Sequence, residues 1–270
     1  MKRPIEVAVI SDVHLGTFGC RALELLHYLK QIEPKTLILN GDIIDIWQFS
    51  KNYFPKSHMK VIRYILKMAM NGTQVIYITG NHDELLRKFV GMHFGNIVVA
   101  NQFTCELDGK KTLFFHGDVF DVSIQHAKWL AKLGGKGYDL LILINTFVNY
   151  LSEKLGGKRI SLSKKIKQGV KQAVSFINNF EQAAVAYANK EAAEVVVCGH
   201  IHQAADKQVD ISDATVRYLN SGDWVENLTA LEYHEGLWQL IHVHERIEVG
   251  MHAELDEPIE HNFLSEFKLG

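Results

Sequence analysis

Five times in this chain a short apolar run ends directly on side chains of the types that ligate metals. That recurrence constrains the fold more than any bulk property. "IEVAVI" (Ile5–Ile10) leads into "SDVH", "TLIL" into "NGDIID", "QVIYIT" into "GNHD", "KTLFF" into "HGD" and "EVVVC" into "GHIH". Runs of this kind read as strands buried on both faces, as in sheets covered by helices. In an open α/β sheet the carboxyl ends of the strands converge on one rim, where ligands bind. Asp12, His14, Asp42, Asn81, His116, His200 and His202 are therefore expected to meet in one place.

Any one Asp or His after a strand is ordinarily a turn or capping residue, and "NHD" could cap a helix starting at Glu84. The joint pattern carries the inference. In D-x-H and H-x-H an extended backbone would aim both ligands one way and turn Val13 and Ile201 to the apolar side. Three carboxylate or amide oxygens plus four imidazoles suit Mn, Fe, Zn or Ni rather than Ca or a thiolate-rich zinc site. Seven ligands exceed one catalytic ion and suit two, about 3.5–4 Å apart with a bridging carboxylate. Asp45 and Asp118 are candidates for turn positions or for supporting these ligands.

The first hundred residues alternate strand and helix: Ile5–Ser11, a helix over about 20–31, Thr36–Asn40, a helix over about 55–70 stopped by Asn71-Gly72, then Gln74–Thr79. This is a βαβαβ rhythm. Strands are also expected at Asn96–Ala100, Thr104–Leu107, Lys111–His116, Glu194–Gly199, Ala214–Leu219, Leu228–Tyr233 and Leu237–Val243. Residues 1–250 read as one domain, interrupted over about 123–192 by a helical insertion, with a tail at 251–270. In the insertion Ile166, Val170, Val174 and Ile177 recur at helical spacing.

A net charge of −2 gives no basic field for nucleic acid. Cys20, Cys105 and Cys198 are widely spaced, which points to a reducing cytosol rather than a disulfide framework. Pro4, Glu6 and Asp12 break any apolar segment of the sort a signal peptide needs. "LLILINTFVNYL" (Leu140–Leu151) is shorter than the roughly 20 residues a membrane span requires.

In order, "SDVH", "NGDIID", "GNHD", "FHGD" and "CGHIH" resemble the motifs of the calcineurin-like metallophosphoesterase superfamily, from about Ile5 to His202. The resemblance implies a four-layer α/β/β/α sandwich of two mixed sheets. It implies that Asp12, His14 and His202 hold one metal, that Asp42 bridges, and that Asn81, His116 and His200 complete the second, with Mn the leading choice. It also implies that His82 stands beside the scissile phosphate, steadying charge or protonating the leaving oxygen, and that Asp83 orients His82.

"GDW" (Gly222–Trp224), "FHGDVFD" and an insertion before "CGHIH" resemble the branch that cleaves the pyrophosphate of UDP-2,3-diacylglucosamine. That branch, in lipid A synthesis, yields UMP and 2,3-diacylglucosamine 1-phosphate. It carries Arg where this chain has His82, so a related phosphodiesterase or phosphomonoesterase stays open, as does a non-catalytic scaffold of the same fold. Lys154, Lys158, Arg159, Lys164, Lys165, Lys167 and Lys171 form an acid-free stretch within the insertion. It is either a solvated face or a lid that meets diphosphate and anionic lipid, with Lys167 and Lys171 as substrate contacts and a peripheral hold on the membrane.

Overall fold

The computed structural model describes residues 2–47, 53–120, 163–211 and 214–243, with backbone only for 163–173. Three α-helices, two short 3-10 helices and twelve strands are seen there. β1 (Arg3–Ile10), α1 (Ala22–Gln31), β2 (Ile32–Asn40), α2 (Lys56–Met70) and β3 (Gln74–Ile78) form the expected βαβαβ unit. β4 (His93–Phe94) and β5 (Ile97–Ala100) extend the first sheet, and β6 (Gln102–Leu107) and β7 (Lys110–Phe115) begin the second. α3 (Ser163–Lys190), β8 (Val195–Cys198), β9 (Ala205–Ile211), β10 (Ala214–Asn220), β11 (Thr229–His234) and β12 (Leu237–His242) complete the order.

The sheets run β12-β11-β1-β2-β3-β5-β4 and β6-β7-β8-β10-β9. Within the first, β1, β2, β3 and β5 are parallel while β11, β12 and β4 are antiparallel additions. In the second, β7, β8 and β10 are parallel between antiparallel edges. Both sheets are thus mixed, as expected.

Three apolar cores set the layering. Val7, Val9, Ile38 and Ile76 from the first sheet meet Phe114, Val195, Val197 and Leu219 from the second. On the far side of the first sheet, Ile10, Leu37 and Leu39 pack under Leu25 and Leu29 of α1 and Val61 and Ile65 of α2. On the far side of the second, Leu113, Phe115 and Val196 pack under Phe180, Ala184 and Ala188 of α3. The result is α/β/β/α. Each fully buried Val, Leu or Phe contributes about 1.5–3 kcal/mol. Because every central strand has a core on both faces, its sequence reads as an unbroken apolar run.

Two strands escaped the sequence. β9, "ADKQVDI", is an edge strand whose side chains are mostly exposed or half-buried, so it has no apolar pattern; its register comes from pairing with β10. β4 is two exposed residues paired with β5. The helix expected from Glu84 is a six-residue 3-10 helix, Glu84–Phe89, with no buried residue to extend it. Of the expected insertion, α3 is helical as anticipated, while residues 121–162 and the tail 251–270 lie outside the described residues.

Candidate metal centre

The loops that follow β1 and β2 are laced together by backbone bonds. Asp12 N donates to Gly41 O, Val13 N and His14 N to Asp42 O, and Leu15 N to Ile43 O, all within 2.9–3.1 Å. The parallel register of β1 and β2 therefore continues past the strand ends and holds Asp12, His14 and Asp42 at one rim. From the second sheet, Gly199 N donates to His116 O, joining the β7 and β8 ends in the same manner.

These loops do not keep the extended backbone that D-x-H and H-x-H suggested. Asp12, His14, Asp42, His200 and His202 all have φ between 51° and 69°. Two left-handed residues flanking an ordinary one achieve the same-side aim that a strand would give by alternation. Val13 still enters the core and Ile201 packs against the α3 side. Such a conformation costs about 1–3 kcal/mol per non-glycine residue and persists where the surroundings enforce it. Five of the nine such residues described are ligands expected from the sequence.

The side chains converge as two groups. Donor atoms of Asp12, His14 and His202 lie within 4.8 Å of one another, and so do those of Asp42, His116 and His200. In the first group His14 Nε2 is 3.4 Å from His202 Nε2, which is 3.4 Å from Asp12 Oδ1. In the second His116 Nε2 is 3.2 Å from Asp42 Oδ2. Asp12 also ties the groups together, accepting from His200 N at 3.0 Å.

The neighbourhood is cut to fit. A Cβ on Gly80 would lie 2.2 Å from Asp42 Oδ1, and one on Gly199 2.6 Å from Asp12 Oδ2. No other residue fits at either place.

A profile of the calcineurin-like phosphoesterases matches residues 5–204. The chain belongs to that family. Among curated relatives, the UDP-2,3-diacylglucosamine hydrolase of Photorhabdus laumondii is 24% identical over 227 residues, covering 80% of this chain and 89% of the relative. The enzyme of that name from Tolumonas auensis is 21% identical, covering 83% of this chain and 91% of the relative. Among solved structures, a novel archaeal phosphodiesterase is 12% identical with a TM-score of 0.41, covering 87% of this chain and 98% of that one. Membership makes the chain a hydrolase of phosphoesters that works with divalent metal ions.

The residues present fit such ions. Among the described residues, Asn81 Oδ1 and His116 Nε2 are buried with no hydrogen-bond partner. His116 Nδ1–H donates to Asn40 O at 2.9 Å, which leaves Nε2 as the ring nitrogen turned to Asp42. Buried polar atoms are ordinarily satisfied, so two orphans on residues that follow β3 and β7 ask for a cation. The outer nitrogens of the other ligands are backed as well: His14 Nδ1 faces Asp45 at 3.4 Å and His202 Nδ1 faces Asp223 at 3.8 Å. Carboxylates placed there orient a ligating imidazole and raise its basicity.

The charge balance agrees. Burial alone would raise the Asp42 pKa, yet the imidazoles of His116, His14 and His82 hold it far below the usual carboxylate range. Burial works against charge on His116, but Asp42, Asp12 and Asp118 outweigh it and lift its pKa well above that of a free imidazole. A divalent ion would take over that neutralising role.

One expected contact is corrected. Asp83 does not orient His82: its oxygens accept from Gly80 N (2.6 Å), Ile43 N (2.9 Å) and Tyr77 Oη (2.7 Å), so it fastens the metal loop to β3. Nor does its side chain cap the following helix. The carboxylate at His82 is Asp45, whose Oδ2 lies 3.0 Å from His82 Nδ1. The hydrogen bond to Asp45 is the main reason the His82 pKa is raised, with Asp42 adding to it against the effect of burial. The cluster of His14, Asp45 and His82 is thus a hydrogen-bonded support, since His14 Nε2 already serves the first group. The spacing of Asp45, three residues after Asp42, was the available sequence signal.

The "GDW" segment also proves to be part of the centre. Asp223 Oδ1 accepts from the backbone of Val225, Glu226 and Asn227, while Oδ2 takes Asn227 Nδ2 and faces His202. Trp224 N donates to Asp12 O, and Asn227 Nδ2 donates to His202 O. The loop after β10 therefore clasps two ligands of the first group. In Asp223→Asn one oxygen can still gather the turn amides, but the charge behind His202 is gone. We expect binding of one ion to weaken about 10–100-fold with the other unchanged, read by metal titration. Equal weakening at both, or at neither, would contradict this arrangement. Lys167 and Lys171 lie on the helical backbone of α3; their side-chain positions, and most of the basic stretch that precedes them, fall outside the described residues.

Proposed function

We propose that the chain is a two-metal pyrophosphatase that cleaves UDP-2,3-diacylglucosamine to UMP and 2,3-diacylglucosamine 1-phosphate, acting in the cytoplasm at the inner face of a membrane. The observation that carries the two-metal reading is the pair of three-donor groups, with Asn81 Oδ1 and His116 Nε2 buried and without a hydrogen-bond partner. The substrate reading is supported by the curated relatives of that name, which align over most of both chains, and by the resemblance of the "GDW" segment to that branch.

Asp12, His14 and His202 would hold one ion, Asn81, His116 and His200 the other, and Asp42 would serve both. Manganese suits the mixed oxygen and imidazole set. When bound, the ions supply Lewis acidity to the phosphate oxygens and lower the pKa of the attacking water. The chain's own part is positioning and proton transfer. Asp45 holds His82 Nδ1–H, so His82 Nε2 is turned outward, with the imidazole biased toward its charged form. From there it donates to a non-bridging oxygen or gives its proton to the leaving oxygen as the phosphorus–oxygen bond breaks. Lys167 and Lys171 are proposed to reach the diphosphate, and the basic stretch from Lys154 to approach anionic lipid.

The test is hydrolysis of UDP-2,3-diacylglucosamine beside a generic aryl phosphodiester, with Mn added. Efficient turnover of the lipid nucleotide to UMP is the expected result. Turnover of the generic ester alone would leave the phosphohydrolase and remove the substrate. His82, in place of the Arg of that branch, is the specific observation that favours this second outcome.

A further inference from the structure

α2 carries more charge pattern than its packing needs. It buries His58, Val61, Ile65, Met68 and Ala69 against the core. At 100° per residue the opposite arc holds two parallel stripes. One is cationic: Lys56, Lys60, Arg63 and Lys67, at i, i+4, i+7 and i+11. The other is apolar and solvent-exposed: Met59 (46%), Leu66 (45%) and Met70 (87%). No Asp or Glu occurs between Asp45 and Asp83, so the helix itself carries no acid.

The apolar stripe does not stop at the helix. Leu66 and Met70 line a trough with Phe94 and Ile97 at the β4 edge. Beyond it Leu85, Phe89, Val90, Met92 and Phe94 (52%) are all exposed. In that segment Glu84 is the acid, set against Lys88, His93 and Arg87, the last paired with Asp118. Exposed apolar side chains gathered in this way mark a contact site.

We propose that the outer face of α2 and the β4 edge form a docking surface for an anionic lipid bilayer. Its cations would take headgroups while the Met, Leu and Phe stripe enters the acyl boundary. A protein partner is the less suited occupant, because lysine is depleted from the buried centre of protein interfaces. A basic stripe flanking an apolar one is the pattern that beds into negatively charged lipid. One end of the surface lies near the metal centre. α2 starts beside His58, whose Nδ1 accepts from Gly16 N in the loop after His14, and Glu84 directly follows "GNHD". The proposal stands whether or not the substrate is the lipid nucleotide, and it does not depend on the basic stretch at 154–171.

The experiment is flotation of the full chain with vesicles of phosphatidylcholine, with and without phosphatidylglycerol, at low and high salt. Binding to the anionic vesicles that salt reverses is expected. Each cation near such a surface is worth about a fivefold factor, so Lys56→Glu with Lys67→Glu should weaken partitioning at least about twentyfold. Met70→Ser with Phe94→Ser should weaken it at all salt concentrations. Both double variants should hydrolyse a soluble aryl phosphodiester as the parent does, which shows the fold intact and separates this test from that of the substrate. No binding by the parent, or equal binding by parent and both variants, would overturn the docking surface.

Discussion

Asp42→Asn is expected to lower turnover of an aryl phosphodiester by about 10³-fold and to leave the chain with at most one ion. The reasons lie in how many partners converge on this side chain. Its Oδ1 accepts from His82 N at 2.8 Å and its Oδ2 faces His116 Nε2 at 3.2 Å. A glycine at position 80 is what lets it sit there. Asparagine keeps the volume and one acceptor but not the charge, and a neutral group cannot serve two cations. The residue is also the one carboxylate of the second three-donor group, so its loss should empty that site first. Metal content by elemental analysis and turnover are to be measured together, with circular dichroism as the check on folding. Retention of two ions with more than about a tenth of the activity would remove Asp42 from the bridging position.

Much of this centre could be read in advance because ligands in such a fold sit at strand ends. The strands that carry them are the most apolar stretches of the chain. Asp12, Asp42, His116 and His200 each follow a run buried on both faces, and the register of parallel neighbours does the rest. What stayed hidden depends on contacts that no local pattern encodes. Asp83 adjoins His82 in the sequence, whereas Asp45 lies 37 residues away. Only the folded loop shows that Asp83 is consumed by Gly80, Ile43 and Tyr77 while Asp45 turns to the imidazole. The left-handed ligands were equally invisible. Period-two spacing predicts an extended strand, whereas here the cross-loop bonds to Gly41 and Asp42 impose the turn. β9 was missed for a simpler reason: an edge strand with little buried surface needs no apolar signature.

His82→Ala is the variant that separates chemistry from metal binding. The imidazole lies beside the first group, its centroid 4.7 Å from that of His14, yet its own contact is with Asp45 rather than with a ligand oxygen. Removing it leaves both three-donor groups complete, so two ions should remain bound. Turnover should fall about 10²–10⁴-fold, the range for loss of a positioned proton donor. Because the imidazole acts as charge develops on phosphorus and on the leaving oxygen, the loss should appear in kcat more than in KM. An ester with a better leaving group needs less protonation, so the deficit should shrink along a series of increasingly acidic phenols if His82 gives its proton away. A deficit constant across that series would assign it to charge on the non-bridging oxygens instead. Asp45→Asn should reproduce part of the effect, since the ring would stay in place without the carboxylate that favours its charged form. If His82→Ala lost its ions along with its activity, the imidazole would belong to the metal centre itself and the proton-donor role would fail.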